Sequence, residues 1–268
     1  MIGSILSYDP EIVPVEDYET LLVRGSDVCR QSRVVIAGLI RNASPYLHRL
    51  QRIVYSIAKL FGDYHIVLYE NDSEDCTVND LKQWSLSEPC LHFVSEKLDK
   101  PNFGSVLTLE RMQFMVDCRN HYLQYIDDHH YWNADYVIVL DTDIQDIYTN
   151  GLVSSLGMNG WDCVTSNGVD KYENLMIYYD IAPLVIRGFV KNANIPLPLP
   201  NAVIRVDSAF GGMAVYRYSS LSGKRYETGM MPGDHCAWHP DIRPMCDHIG
   251  LNMQLENVWV NSRQIVIR

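Results

Sequence analysis

Basic residues are in short supply: Lys and Arg number 22 against 33 Asp and Glu, a formal net charge of −11. That balance excludes a surface built to neutralise nucleic-acid phosphates, which depends on Lys and Arg. A negatively charged ligand would therefore need a local cation or a metal. No stretch approaches the roughly 20 apolar residues that cross a bilayer. The N-terminal MIGSILSYDPEIVPVEDYE has neither a basic leader nor a long apolar run, so no signal peptide is expected. A soluble, cytoplasmic protein is the expectation. The seven cysteines, Cys29, Cys76, Cys90, Cys118, Cys163, Cys236 and Cys246, are odd in number and contain no CxxC pair, which favours free thiols over a disulfide framework. Internal repeats and low-complexity tracts are also missing.

What is present is an ordinary globular composition, 47% hydrophobic and 21% charged over 268 residues, enough to bury the core of one large α/β domain. Residues 1–32 show no clear period and are expected as an extension of loop and short helix packed outside. The domain proper is expected over 33–268. VVIAGLI (34–40) is an aliphatic run followed by RNASPYL, where Asn42 or Ser44 would cap a helix and Pro45 suits its first turn. Leu47, Leu50, Ile53, Ile57 and Leu60 then recur at helical spacing. HIVLYEND (65–72) predicts a second buried strand, TVNDLKQWS (77–85) a short helix capped by Thr77, and HFVSE (92–96) a third strand. Residues 107–127 carry a helical pattern containing Arg111, Arg119 and Asn120, and YVIVLDTD is the strongest strand of all. Strands alternating with helices predict a mostly parallel sheet covered on both faces. Such sheets bind ligands at the carboxyl ends of their strands, where Glu70, Asp141 and Asp143 lie. After residue 150 the rhythm loosens into WDCVTSNG (161–168), the proline-rich NIPLPLPNA (194–202) and SAFGGMAVYRY (208–218).

VIVLDTDIQ (137–145) raises the central question, because a buried strand ends in two carboxylates. They repel each other and lose solvation unless a cation or hydrogen-bond donors compensate. A divalent Mg²⁺ or Mn²⁺ would do so, since hard ions prefer carboxylate oxygens and keep open positions for phosphate. A capped turn with solvated acids is the bland alternative. A phosphatase of the haloacid dehalogenase type also ends a strand in Asp-x-Asp, but near the start of the chain. A nucleotidyltransferase would show a glycine-rich loop after the first strand, and GLIRNAS lacks that glycine density. A non-catalytic module binding sugar or divalent cations is a further alternative.

The chain resembles the GT-A fold glycosyltransferases that use nucleotide sugars, over about residues 33–268. The resemblance rests on VVIAGLIRN, YENDSEDCT, CRNHYL, VLDTD, SAFGGMAVYR and MCDHIGLNMQ in that order. It implies a Rossmann-like single domain with a nucleotide-binding half (33–150) and an acceptor-binding half (151–268). It implies a metal-dependent transfer of sugar from a nucleoside diphosphate, UDP ahead of GDP on frequency, to a hydroxyl of a glycan or similar acceptor. Gly38, Arg41 and Asn42 would then lie near the nucleotide and Glu70 would contact base or ribose. Arg119 and Asn120 would face the diphosphate or donor sugar, and Gly211 with Gly212 would let a sugar approach the backbone. Asp141 and Asp143 would hold the metal, with His248 as a third ligand. Asp247 stands where a carboxylate would deprotonate the acceptor. A rival for both last roles lies in PGDHCAWH, where Asp234, His235 and His239 offer the same chemistry. Tyr178, Tyr179 and Asp180 would stack on and bond a sugar.

Overall fold

The computed structural model describes residues 11–104, 108–172, 175–178, 180, 183–185, 202–230 and 245–268, with backbone alone at 131, 171–172, 175–178, 229–230 and 245. In chain order the elements are α1 (Tyr18–Gln31), β1 (Arg33–Ile40), α2 (Leu47–Ala58), β2 (Asp63–Asn71), α3 (Thr77–Ser87), β3 (Leu91–Glu96), α4 (Leu109–Asp128), β4 (Tyr136–Leu140), β5 (Asp146–Ile147) and α5 (Thr149–Leu156). They continue as β6 (Cys163–Tyr172), β7 (Leu175–Tyr178), β8 (Val203–Val206), β9 (Met213–Arg217), α6 (Tyr218–Leu221), β10 (Gly229–Met230), β11 (Met245–Cys246), α7 (Asp247–Asn252) and β12 (Val258–Ile267).

One mixed sheet runs β3-β2-β1-β4-β9-β6-β12-β5, with β7 beside β6 and β8 beside β12. The first four strands are parallel, as the alternation of strands and helices predicts. Beyond them β9 inserts antiparallel between β4 and β6, and β6 then runs parallel to β12. β1 and β4 are buried on both faces, which is why they read as continuous aliphatic runs. Val34, Ile36, Ile138 and Leu140 face Leu50, Ile53 and Ile57 of α2, while Val35, Ala37, Val137 and Val139 share the opposite core with Val116, Leu123 and Ile126 of α4. Both faces are covered by helices, so the exposed ends of the strands are where a ligand can reach the sheet.

Three local expectations are corrected. Neither Asn42 nor Ser44 caps α2; a short 3₁₀ turn, Ser44–Tyr46, precedes it, and the amides of Ala43 and Ser44 donate to Thr77 Oγ1 at 2.6 and 3.0 Å. Nor does Thr77 cap α3: it is the first residue of that helix, its hydroxyl secures the neighbouring turn, and its own amide is held by Asp75 at 2.9 Å. The N-terminal extension is also more regular than its sequence suggests. α1 is a 14-residue helix capped by Asp17, whose side chain accepts from the Thr20 amide at 3.0 Å. It packs on α5 so closely that a Cβ on Gly25 would overlap the Val153 carbonyl oxygen.

That close approach predicts the sign of one substitution. In an exposed helix Gly→Ala stabilises by about 1 kcal/mol. Gly25→Ala is expected to destabilise this protein by about 1–3 kcal/mol, the usual cost of overpacking. Urea denaturation reads the difference directly, and a gain in stability would show that α1 does not seat on α5 in this way.

Candidate functional site

A cleft of about 300 Å³ opens at the carboxyl ends of β1, β2 and β4. Asp141, Thr142 and Asp143 form one wall and the cleft-facing stripe of α4, Arg111, Phe114, Met115, Cys118 and Arg119, forms another. Arg41, Tyr46, Asn71 and the 101–104 loop close it. Arg111 was legible only as part of a helix, but its spacing to Phe114, Met115, Cys118 and Arg119 (i, i+3, i+4, i+7, i+8) is the signature of one helical face. The guanidinium of Arg41 donates to the carbonyls of Lys100 and Pro101 at 3.0 and 3.3 Å, and Arg111 Nε donates to Gly104 O at 2.8 Å. Carbonyls orient these cations without neutralising them.

Arg119 is different. It is buried, with Nε bonded to the Asp247 carboxylate and Nη2 3.9 Å from Asp141 Oδ1. The Phe210 and Tyr226 rings lie 5.7 and 5.5 Å from its guanidinium, within cation–π range. Burial opposes ionisation of Asp247, but Arg119 outweighs it and holds the carboxyl well below the usual range. In this structure Asp247 is the carboxylate that holds Arg119.

Asp141 is half-buried, and burial pushes its carboxyl up to about 7, with Asp180, Asp143 and Asp247 adding to the rise and Arg119 opposing it. Burial also lifts Asp180, to about 6, against a bond of 2.8 Å from the Gly211 amide. Asp143 is exposed at the cleft. His248 is buried, stacked on Phe210 with ring centroids 3.8 Å apart. Burial, then Arg119, lower it to about 3, so the imidazole is neutral. Neither ring nitrogen has a hydrogen-bond partner among the described residues. Among those residues no three His, Cys, Asp or Glu side chains are grouped to hold a metal ion, so His248 is not brought together with Asp141 and Asp143 as a ready-made cage.

Other expected site residues have partners within the protein. Glu70 is buried, accepts from the Ser73 amide at 2.9 Å and from Ser95 Oγ, and faces a wider groove of about 840 Å³ on the far side of the 97–101 segment. Asn42, at φ 51°, accepts from the Glu74 amide at 2.8 Å. Both ends of the Asn120 carboxamide are taken by the Tyr226 backbone, at 2.9 and 2.8 Å. Gly38 meets the sheet itself, since a Cβ there would lie 2.8 Å from Leu140 O. Gly211 has φ 67°, and what crowds its α-carbon is the Ser166 carbonyl, so its small size serves packing against β6. Gly212, at φ 80°, accepts from the Asp141 amide at 2.9 Å. Tyr179, Asp234, His235 and His239, and the Tyr178 side chain, lie outside the described residues.

Two variants test this electrostatic arrangement. Asp247→Ala strands a buried guanidinium and is expected to cost about 3–5 kcal/mol in chemical denaturation; a loss near zero would deny the pair its role. For Asp141 the folded pKa, about 7, lies above the ordinary 3.8, so the native state holds the proton more tightly and stability is lost as pH rises from about 4 to 7. Asp141→Asn should match wild type at pH 4 and melt at higher temperature at pH 8. Equal melting temperatures at both pH values would contradict the raised carboxyl.

No family model matches the chain, and no curated protein matches it in sequence. Solved structures do match in shape. The mannosyltransferase PcManGT from Pyrobaculum calidifontis, in complex with GDP-Man and Mn²⁺, superposes with a TM-score of 0.52 at 12% identity, covering 98% of this chain and 61% of its own. GalNAc-T7, solved with UDP, GalNAc and Mn²⁺, gives 0.51 at 11% identity, covering 100% of this chain and 55% of its own. The chain thus spans about three fifths of the length of such structures. No described helix is long and apolar enough to cross a membrane. At this identity the likeness speaks to architecture alone: like these two structures, the chain is a mixed α/β domain.

Proposed function

We propose that this chain is a metal-dependent glycosyltransferase that moves a sugar from a nucleoside diphosphate to a hydroxyl of a glycan or similar acceptor. The observation that carries the reading is the two-signed cleft, with Asp141 and Asp143 on one wall and Arg41 and Arg111 on the others. A nucleoside diphosphate accompanied by a divalent ion has that same mixed character. The likeness in fold to proteins solved with GDP-Man or UDP and with Mn²⁺ supports the donor class.

The donor set suits Mn²⁺ or Mg²⁺ held by Asp141 and Asp143. Hard ions of this kind use one or two carboxylates and complete their shell with phosphate oxygens and water. The raised pKa of Asp141 fits as well, because a carboxylate crowded by other acids gains from a cation. His248, neutral and with both nitrogens unpartnered among the described residues, is the third donor of the proposal and would have to move toward the two aspartates, with which it is not grouped in this structure. The ion would supply charge compensation for the departing diphosphate. Arg41 and Arg111 would take the remaining phosphate oxygens, and Tyr46, Phe103 and Phe114 offer ring faces to a base. Arg119, held by Asp247, fixes the direction of Asp141 from behind. In the reaction the acceptor hydroxyl oxygen would bond to the anomeric carbon as the bond from that carbon to the diphosphate oxygen breaks, its electron pair leaving with the nucleoside diphosphate and the hydroxyl proton passing to water. The acceptor would approach over the 151–268 half. UDP is preferred over GDP as the donor nucleotide.

A thermal-shift titration with UDP, GDP, CDP and ADP, each with and without Mn²⁺, tests this, since a ligand of the folded state raises its apparent stability. One diphosphate should stabilise only with metal, and Asp143→Ala should abolish that shift while leaving the ligand-free melting temperature in place. Absence of any shift would return the chain to the phosphatase and binding-module readings.

A further inference from the structure

The turn that follows β4 is tethered at nearly every residue. The Asp141 amide donates to Gly212 O at 2.9 Å and the Gln145 amide to Ile267 O at 2.7 Å. Thr142 Oγ1 donates to Leu39 O at 2.7 Å, and Ile144 is buried in the core. Asp143 is exposed on the cleft, its side chain without a hydrogen bond among the described residues, and its backbone carbonyl is what the protein holds. Arg49 Nη2 donates to that carbonyl at 3.2 Å, and Nη1 of the same guanidinium donates to Gln145 Oε1 at 2.9 Å. One planar fork therefore straddles Ile144 and grips the turn on both sides of it. The guanidinium is itself seated 5.2 Å over the ring of Tyr46, which lines the cleft. Arg52, one helical turn further along α2, donates to Gln145 O at 3.3 Å.

We propose that Arg49 is a positioning residue for Asp143: its grip on the Asp143 carbonyl sets the peptide that aims the carboxylate into the cleft, and so governs the binding of a divalent cation with a nucleoside diphosphate. This rests on the reading of Asp143 as a cation ligand. A planar fork can hold two acceptors at fixed separation, whereas a lysine ammonium is a point charge on a flexible stem. Charge and geometry act in opposite senses here. A guanidinium beside the site repels an incoming cation, so removing its charge alone would tighten binding, and removing its grip would loosen it.

The opposed signs give the experiment. Mn²⁺ affinity in the presence of UDP, and separately of GDP, is measured by calorimetry and by the electron paramagnetic resonance signal of free Mn²⁺, for wild type, Arg49→Lys and Arg49→Gln, well below their melting temperatures. Positioning predicts that both variants bind Mn²⁺ about 10- to 100-fold more weakly, the range found when an outer partner of a metal ligand is removed. Wild-type affinity in Arg49→Lys, or tighter binding in Arg49→Gln, would overturn the proposal and leave Asp143 as a ligand. No Mn²⁺-dependent binding of either nucleotide by wild type would instead sink the transferase reading, and this inference with it.

Discussion

The buried pair of Arg119 and Asp247 joins the two halves of the molecule. Arg119 belongs to α4, which lies on the parallel strands, and Asp247 opens α7 in the second half. A guanidinium taken out of water must be paired, and here the pairing can be made only if α7 and the Tyr226 segment come up against α4. The neighbouring residues add to the same junction. Asn120 holds the Tyr226 backbone, and Tyr122 donates its hydroxyl to that of Tyr226 at 2.9 Å. The pair also decides the state of the cleft. Arg119 is committed to Asp247 and stands 3.9 Å from Asp141, so Asp141 receives only part of its compensation and keeps a raised pKa. Acids whose pKa is perturbed in this way cluster in clefts that bind or react.

Parallel strands explain why the site lies where it does. β1, β2 and β4 run in one direction and end at one edge of the sheet, so residues far apart in sequence meet there without any long-range signal in their identities. The turn after β4 is then fixed from four directions, by Leu39, Gly212, Ile267 and α2. A carboxylate that must meet a small, geometry-demanding ion gains from standing on such a turn, because disorder in the support would be passed on to the ligand.

This division marks what the sequence made legible. Buried strands with aliphatic runs, the α2 periodicity and the Asp141/Asp143 pair at a strand end follow from local pattern. β12 escaped because its interior is polar. Asn261 donates to Ser154 and Ser155, Ser155 donates to Gln264, and Gln264 donates to Ser166, so buried positions that should read as hydrophobic read as loop. The directions of polar side chains were equally hidden. Glu70, Asn120 and Gly211 are the residue types a ligand site uses, yet each is occupied by partners 25, 106 and 31 residues away in sequence. Residue type reports what a side chain can bond, and only the fold reports what is within its reach.

The chain's acidity and its cleft are reconciled by how the arginines are held. Arg119 is neutralised by a carboxylate, but Arg41 and Arg111 are held by backbone carbonyls, which fix a guanidinium in place while leaving its charge unspent. Arg41 also keeps a buried Nε without a partner among the described residues. The cleft therefore offers free positive charge opposite under-compensated carboxylates. A simple anion would satisfy the first and be repelled by the second, and a simple cation the reverse. Only a ligand carrying both signs relieves both walls together, which is the ground on which a diphosphate with its divalent ion is proposed for this cleft rather than either alone.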